Sequence, residues 1–411
     1  MNVISLFNGM GCGWLALDKA GIPVGKRYSS EIDKYAIKVN DSNYPDTIQL
    51  GDITKWREWD IDWGTIDLVL AGSPCQGFSF AGKGLNFNDE RSKLFFVFVE
   101  ILNHIKQFNP KVLFLLENVQ MKYEHELVIS RYVGCNPIVI NSALLSAQNR
   151  VRNYWTNINQ KPVGLFEDME ADIPQPKDKG ILLKDILEND VPEKYYLTER
   201  GLKGLQSIVD RGIATNSGWR DGVVSEEGKS TCIDANYYKG ADGKRPLVMQ
   251  ITNHKSAVGL NCVGGLSKNK KWLENGKNLQ RNFSQGERVY SSDGKSPSIN
   301  ANSGGTAGVG NTLMIDKSPC LHGFEHGTNG QFNNQLVNGG MIRRLTEVEC
   351  ERLQTVPDGY TNHVSSTQRY KMLGNGWTVD VIAYIFGFIK AEIYNVQPPN
   401  DIQCGVGKNN I

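Results

Sequence analysis

The 411-residue chain has no apolar run long enough to cross a bilayer. Its start, Met1 to Phe7, lacks a basic region and a cleavage site, so it reads as a buried first strand rather than a secretory signal. The eight cysteines include no C-x-x-C pair, which argues against a disulfide scaffold and a zinc ribbon. Reduced, mostly core-filling thiols in a cytoplasmic protein are expected. His322 and His326 stand four apart in a Gly-rich stretch where no helix is expected, so no metal site is read there. Net charge is only +1, so the whole chain does not advertise a nucleic-acid binder. One stretch differs: from 239 to 295 stand eleven Lys and Arg against four Asp and Glu. That is a solvated face unless the rest of the chain points to nucleic acid.

The first 160 residues alternate short apolar runs with helical patterns. Val3–Phe7, Ile48–Ile53, Ile66–Gly72, Val112–Glu117, Pro137–Leu144 and Asn153–Ile158 read as buried strands, and Ser92–Phe108 as a helix with a broad apolar face. This alternation predicts a doubly wound, mostly parallel α/β sheet. Pro174-Gln175-Pro176 reads as a linker, and Gly, Asn and Ser then dominate. The expected division is 1–170, a smaller, irregular, β-rich domain over 175–360, and a segment 361–411 that completes the first domain. Periodicity returns at Arg343–Gln354 and Thr378–Tyr394, and the latter suits a helix packed on the sheet.

The first strand runs into Asn8-Gly9-Met10-Gly11-Cys12-Gly13. Its third glycine comes one position early for G-x-G-x-x-G, which weakens a nicotinamide reading. Glu31, ending the second strand, could hold ribose hydroxyls; Asp52, ending the third, could accept from an adenine amino group. An adenosine without a pyrophosphate fits these strand ends. Cys75 follows strand Ile66–Leu70 on a turn stiffened by Pro74. A strand tip favours a nucleophile over a core thiol. Glu117 ends the next strand after apolar neighbours, where desolvation favours a usable acid. Arg150 and Arg152 alternate at the start of another strand, on one face, where they could hold a carbonyl or a phosphate.

Pro74-Cys75-Gln76, Glu117-Asn118-Val119, Gln148-x-Arg150-x-Arg152, Arg344-Leu345-Thr346 with Glu349, Arg352 and Gln354, and Gly374-Asn375 occur in order. Together they resemble the motifs of the C5-cytosine DNA methyltransferase family, especially its phage and prophage branch. The resemblance covers about 1–160 and 343–395. It implies a Rossmann-like fold dependent on S-adenosyl-methionine, with a target-recognition domain. Phe7, Gly9, Glu31, Asp52, Ile53, Pro74, Leu94, Asn375 and Trp377 would line the cofactor pocket. Cys75 would attack C6 of a flipped cytosine, Glu117 would bind its N3 and amino edge, and Arg152 its O2 side, with Arg150 close by. Gln76 to Arg91 would form the loop that closes over the substrate, with Ser79 near the DNA backbone. Ser73, Ser5 and Gly376-Trp377 depart from the family pattern, all beside the cofactor. The implied partners are double-stranded DNA and a restriction endonuclease; a monomer in a bacterial host cell, phage-encoded or not, is expected.

Two alternatives compete: an RNA cytosine methyltransferase on the same scaffold, and a catalytically dead DNA-binding homologue. The long insert argues against the first, and the presence of Cys75 and Glu117 against the second. Within the insert, Val223–Asn236 and Val289–Asn302 match at an offset of 66. Each reads as a hairpin with a turn at Gly228 or Gly294. Lys229 and Lys295, which a turn does not need, are expected to contact phosphates.

Overall fold

The structure, a computed structural model, describes residues 1–73, 90–163, 168–196, 223–225, 229–239, 247–251, 261–266, 272–274, 288–291, 313–315 and 340–394. The chain divides into two compact units. One comprises Met1–Asn189, Glu227–Gly240 and Thr346–Ile411; the other Asp190–Glu226 and Ala241–Leu345.

The first unit is built on a seven-stranded sheet. Its strands are β1 (Val3–Leu6), β2 (Arg27–Ser30), β3 (Ile48–Gln49), β4 (Leu68–Ala71), β5 (Leu113–Val119), β6 (Ile138–Asn141) and β7 (Val151–Thr156), in the order β3-β2-β1-β4-β5-β7-β6. β1 pairs in parallel with β2 and β4, and β4 with β5. β7 runs antiparallel between β5 and β6, and β8 (Gln160–Val163) and β9 (Asp168–Ala171) form a separate antiparallel pair. The mostly parallel, doubly wound sheet expected from the alternation is therefore present.

Helix α3 (Glu90–Phe108) covers β4 and β5 with Phe95, Phe98, Ile101, Leu102 and Ile105, all 0–1% exposed. They pack with Val69, Phe114 and Leu116 in one apolar cluster. Full burial of such a side chain contributes roughly 1.5–3 kcal/mol. The other helices of this unit are α1 (Cys12–Ala20), α2 (Lys34–Asn43), α4 (Tyr123–Val133), α5 (Glu347–Leu353), α6 (Ser366–Asn375) and α7 (Val379–Tyr394). α7 packs on α1, as its apolar periodicity requires.

Several boundaries differ from expectation for local reasons. β3 stops at Gln49, because Asp52 caps a 3-10 helix, Ile53–Glu58, by accepting from Thr54 N. The stretch 343–354 is not one element. Strand Gly340–Arg344 ends, and Thr346 with Glu349 forms a capping box at 2.8 and 3.1 Å that starts α5. Residues 346–360 thus belong to the first unit, not to the insert.

The second unit holds short strands in two sheets. β10 (Val223–Ser225), β11 (Leu247–Ile251) and β16 (Gly340–Arg344) form one; β12 (Asn261–Leu266), β13 (Trp272–Glu274), β14 (Arg288–Ser291) and β15 (Leu313–Ile315) the other. Among the described residues of 223–236, which leave out the turn at Gly228, no strand pairs with β10 to make the expected hairpin. β10 pairs with β11, Ser230 bridges to Gln148, and 227–240 lies in the first unit. β14 is described, but Lys295, Gly294 and the rest of the second copy lie outside the described residues, as do His322 and His326.

Candidate active site

The strand order reverses between β1 and β4, which opens a crevice at the carboxyl ends of the strands. The loops after β1, β2, β4 and β5 leave from that edge.

The turn after β1 is tightly constrained. Phe7 is a non-glycine residue with φ of +59°, the kind of strain that collects at ligand sites. Gly11 has φ of +86°, and a β-carbon there would meet Asn40 Oδ1 at 2.9 Å, so only glycine fits. Gly9 N donates to Glu31 Oε2 at 2.8 Å, and Ile32 N and Asp33 N donate to Oε1 at 2.8 Å. Glu31 thereby ties the Gly-rich turn to the tip of β2. Asp52 Oδ1 accepts from Thr54 N and Oγ1, each at 2.9 Å. The Thr54 N–H bond holds its carboxyl below the ordinary carboxylate value. Ile53 is buried, and Leu94 of α3 is partly buried against the apolar cluster. Trp377 is half-buried, and a β-carbon on Gly72 would stand 3.0 Å from its Nε1, so the indole packs against the tip of β4. Asn375 ends α6 and is exposed.

The second cluster lies on β5 and β7. Glu117 is buried, and its Oε1 lies 3.1 Å from Arg152 Nε. The contact lacks hydrogen-bond alignment and is an ion pair. Arg152 Nη1 donates to Val151 O at 2.8 Å and Nη2 to Cys232 Sγ at 3.8 Å. Asn118 Nδ2 donates to Ser73 Oγ at 3.4 Å, linking the tip of β5 to the tip of β4, two residues before Cys75.

Arg150 is placed differently from expectation. It is 3% exposed; Nη1 donates to Cys232 Sγ, Ile233 O and Gly374 O at 3.1–3.3 Å, and Nη2 to Gly376 O at 2.9 Å. These bonds tie Nη1 and Nη2 to the scaffold, while Nε is buried without a hydrogen-bond partner. Lys229 also departs from its expected role. Its ammonium donates to Ala143 O, to Ser146 O at 3.4 Å and to Asp178 Oδ1 at 3.4 Å, with the side chain 18% exposed. Two carbonyls and a carboxylate occupy the donors that a phosphate would need.

The structure brings together Phe7, Gly9 and Glu31 at one end of the crevice, and Glu117 with Arg152 at the other. Pro74, Cys75, Gln76 and Ser79 lie outside the described residues, and Arg91 is described only as backbone in the first turn of α3.

Two residues, Ile32 and Cys232, and the structural role of Gln354 escaped the sequence. Ile32 is 76% exposed, an apolar face beside the Glu31 carboxylate. Cys232 touches both arginines. Gln354 is fully buried; it donates to Leu373 O at 2.6 Å, accepts from Thr378 Oγ1 at 2.8 Å, and so holds the Gly374–Trp377 turn. For Ile32 the signal was available, as an apolar residue directly following a strand-end carboxylate. The other two need tertiary contacts.

A family model described as C-5 cytosine-specific DNA methylase matches residues 1–391, and the chain belongs to that family. It is 30% identical over 342 residues to the orphan methyltransferase M.Rho11sI of Bacillus phage rho11s. That alignment covers 79% of this chain but 62% of the relative, so the chain spans less than two thirds of its length. It is 27% identical over 397 residues to the type II methyltransferase M.HhaI of Haemophilus parahaemolyticus, covering 94% of this chain and 93% of the other. Among solved structures it is similar to a Spodoptera frugiperda DNMT2 mutant. That match has a TM-score of 0.54 and 21% identity, over 95% of this chain and 100% of that one, and is a likeness of fold.

Proposed function

We propose that the chain transfers a methyl group from S-adenosyl-methionine to C5 of a cytosine flipped out of double-stranded DNA. The observation that carries this is the Glu117–Arg152 pair, 3.1 Å apart at the edge from which the Cys75 loop departs. A carboxyl group and a guanidinium side by side match the N3–amino edge and the O2 of a cytosine.

The residues at the other end of the crevice fit the donor. Glu31 accepts from three backbone N–H groups, and its carboxylate has further lone pairs for a ribose diol. Ile32 and Ile53 offer apolar faces for an adenine, with Asp52 at its amino edge. Phe7, Gly9, Leu94, Asn375 and Trp377 would complete the pocket, with Pro74, which lies outside the described residues, expected among them. When bound, S-adenosyl-methionine supplies an electrophilic methyl group.

Cytosine C5 is too poor a nucleophile alone. Cys75 adds as thiolate to C6, forming a C6–S bond and making C5 enamine-like. Glu117 offsets the charge that develops at N3. C5 would then take the methyl group that S-adenosyl-methionine, held by Glu31 and Asp52, would supply, with the donor sulfur as leaving group. Loss of the C5 proton to a base then lets the C6–S bond break and releases Cys75. The reacting atoms lie inside the base stack, so the nucleotide leaves the helix first. Gln76 to Arg91, with Gly77, Gly82 and Gly84, has the composition of a loop that closes over it.

The test is sequencing for 5-methylcytosine in DNA from cells expressing the chain, with purified protein offered duplex DNA and RNA. Methylation confined to cytosine C5 in duplex DNA supports the reading. Methylation of RNA alone, or of neither, overturns it.

A further inference from the structure

The segment 227–240 is bounded in the chain by the second unit on both sides, yet it belongs to the first unit. It lies beside the approach to β7. Asn149 N donates to Ser230 O at 2.8 Å, and Ser230 N to Ala147 O at 2.7 Å. Further along, a β-carbon on Gly374 would overlap the carbonyl of Asp234, so the segment rests directly on α6. Tyr237 is buried, with its ring 5.3 Å from that of Tyr370. The segment is therefore fixed before and after Cys232. In between, Cys232 Sγ lies 3.1 Å from Arg150 Nη1 and 3.8 Å from Arg152 Nη2.

We propose that Cys232 is a positioning residue: clamped by Arg150, its sulfur sets the orientation of the Arg152 guanidinium against Glu117. A guanidinium is a rigid plane on a flexible stem, so the orientation of that plane is fixed only by what its N–H groups meet. For Arg152 the partners are Val151 O, Cys232 Sγ and the Glu117 carboxylate. Val151 is its own chain neighbour and constrains it least. Sulfur is a weak acceptor, but here both donors carry charge, which strengthens the contact. Arg150 cannot follow Arg152, because it is held by the carbonyls of Ile233, Gly374 and Gly376. The sulfur thus transmits a fixed point from the buried scaffold to the pair that would meet the base.

This inference rests on the proposed role of Glu117 and Arg152, and the test separates the two. Cys232→Val keeps volume and apolarity but removes the acceptor. It is expected to lower kcat about 10-fold, the scale of a misplaced group, with KM for duplex DNA and for S-adenosyl-methionine changed by less than about twofold. Cys232→Ser, whose hydroxyl also accepts, should recover most of the loss. In an Arg152→Ala background, Cys232→Val should cost nothing further, because the group it positions is gone. An unchanged kcat in Cys232→Val, or a loss that adds fully to that of Arg152→Ala, overturns the proposal. Full turnover in Arg152→Ala alone would instead overturn the reading of the site on which it rests. If Cys232→Val does not fold, Cys232→Ala carries the same comparison with Cys232→Ser.

Discussion

Arg152 Nε stands 3.1 Å from Glu117 Oε1 across the antiparallel pair of β5 and β7. Glu117 is in register with Tyr154, so Arg152, two residues earlier on β7, is its diagonal neighbour on the same face. Both side chains are 12–13% exposed. Breaking so enclosed a pair leaves an uncompensated charge, which costs about 3–5 kcal/mol. A substitution meant to test chemistry must therefore keep the shape. Glu117→Gln keeps an oxygen toward Arg152 but has no acid to offer. Turnover should fall about 10²–10⁴-fold, the scale of acid–base assistance, with cofactor binding nearly intact, while the loss of the charge facing Arg152 lowers the melting temperature. An unchanged rate would remove Glu117 from the mechanism, and loss of folding would make it structural.

Cys75 should form a covalent bond to its target. DNA with 5-fluorocytosine at the methylated position cannot lose its C5 substituent, so the C6–S bond cannot be released by elimination. A protein–DNA band should survive denaturing electrophoresis with the wild type and vanish with Cys75→Ser. Normal methyl transfer to unmodified DNA with no trapped band would sink the covalent route.

The buried thiols of Cys12 and Cys135 should be inert. Burial pushes Cys12 and Cys135 up to about 11 from 9.0. At pH 8 a thiol with a value of 9 is about one tenth thiolate, and one at 11 about a thousandth. Alkylation at these sites should therefore slow at least about 100-fold relative to the unfolded chain and recover as pH rises toward 11. Mass-spectrometric labelling that finds Cys12 modified as fast when folded as when unfolded would contradict this.

Gly374 sits beneath Asp234, where a methyl group has no space. Gly374→Ala should destabilise by about 1–3 kcal/mol or more, as overpacking does, read as a lower denaturant midpoint. A variant as stable as the wild type would show that the segment 227–240 does not rest there.

What was legible in the sequence had local causes. Strand tips such as Ser73 and Glu117 follow from apolar runs ending at polar residues. The Gly-rich turn after β1 follows from glycines that only a tight turn needs. Arg150, just before β7, and Arg152 within it both reach Cys232 Sγ, a contact that their alternate spacing allows. Their different roles were not legible: Arg150 is decided by carbonyls at 233, 374 and 376, up to 226 residues away. The segment 227–240 misled for the same reason. Its Ser, Gly and Lys suit a turn, but its pairing partner is Ser230 with Gln148, not a neighbouring strand.

Lys229 shows the consequence most directly. As a phosphate contact, its loss would lower the slope of log affinity against log salt by roughly one unit on any DNA sequence. Its ammonium instead donates to Ala143 O and Ser146 O, and the half-exposed Asp178 adds little because water screens that pair. Hydrogen bonds from a charged donor are worth about 1.5–3 kcal/mol each, and a carbonyl left buried without its donor adds a penalty of similar size. Lys229→Ala should therefore lower the stability of the folded chain by about 3 kcal/mol or more while the salt slope of DNA binding stays as it was. Lys229→Arg should not rescue it, since a planar guanidinium does not replace a compact ammonium between two carbonyls. Denaturant titration and binding isotherms at several salt concentrations read the two effects separately. A slope reduced by one with stability unchanged would return Lys229 to the DNA and show that its carbonyl contacts are incidental.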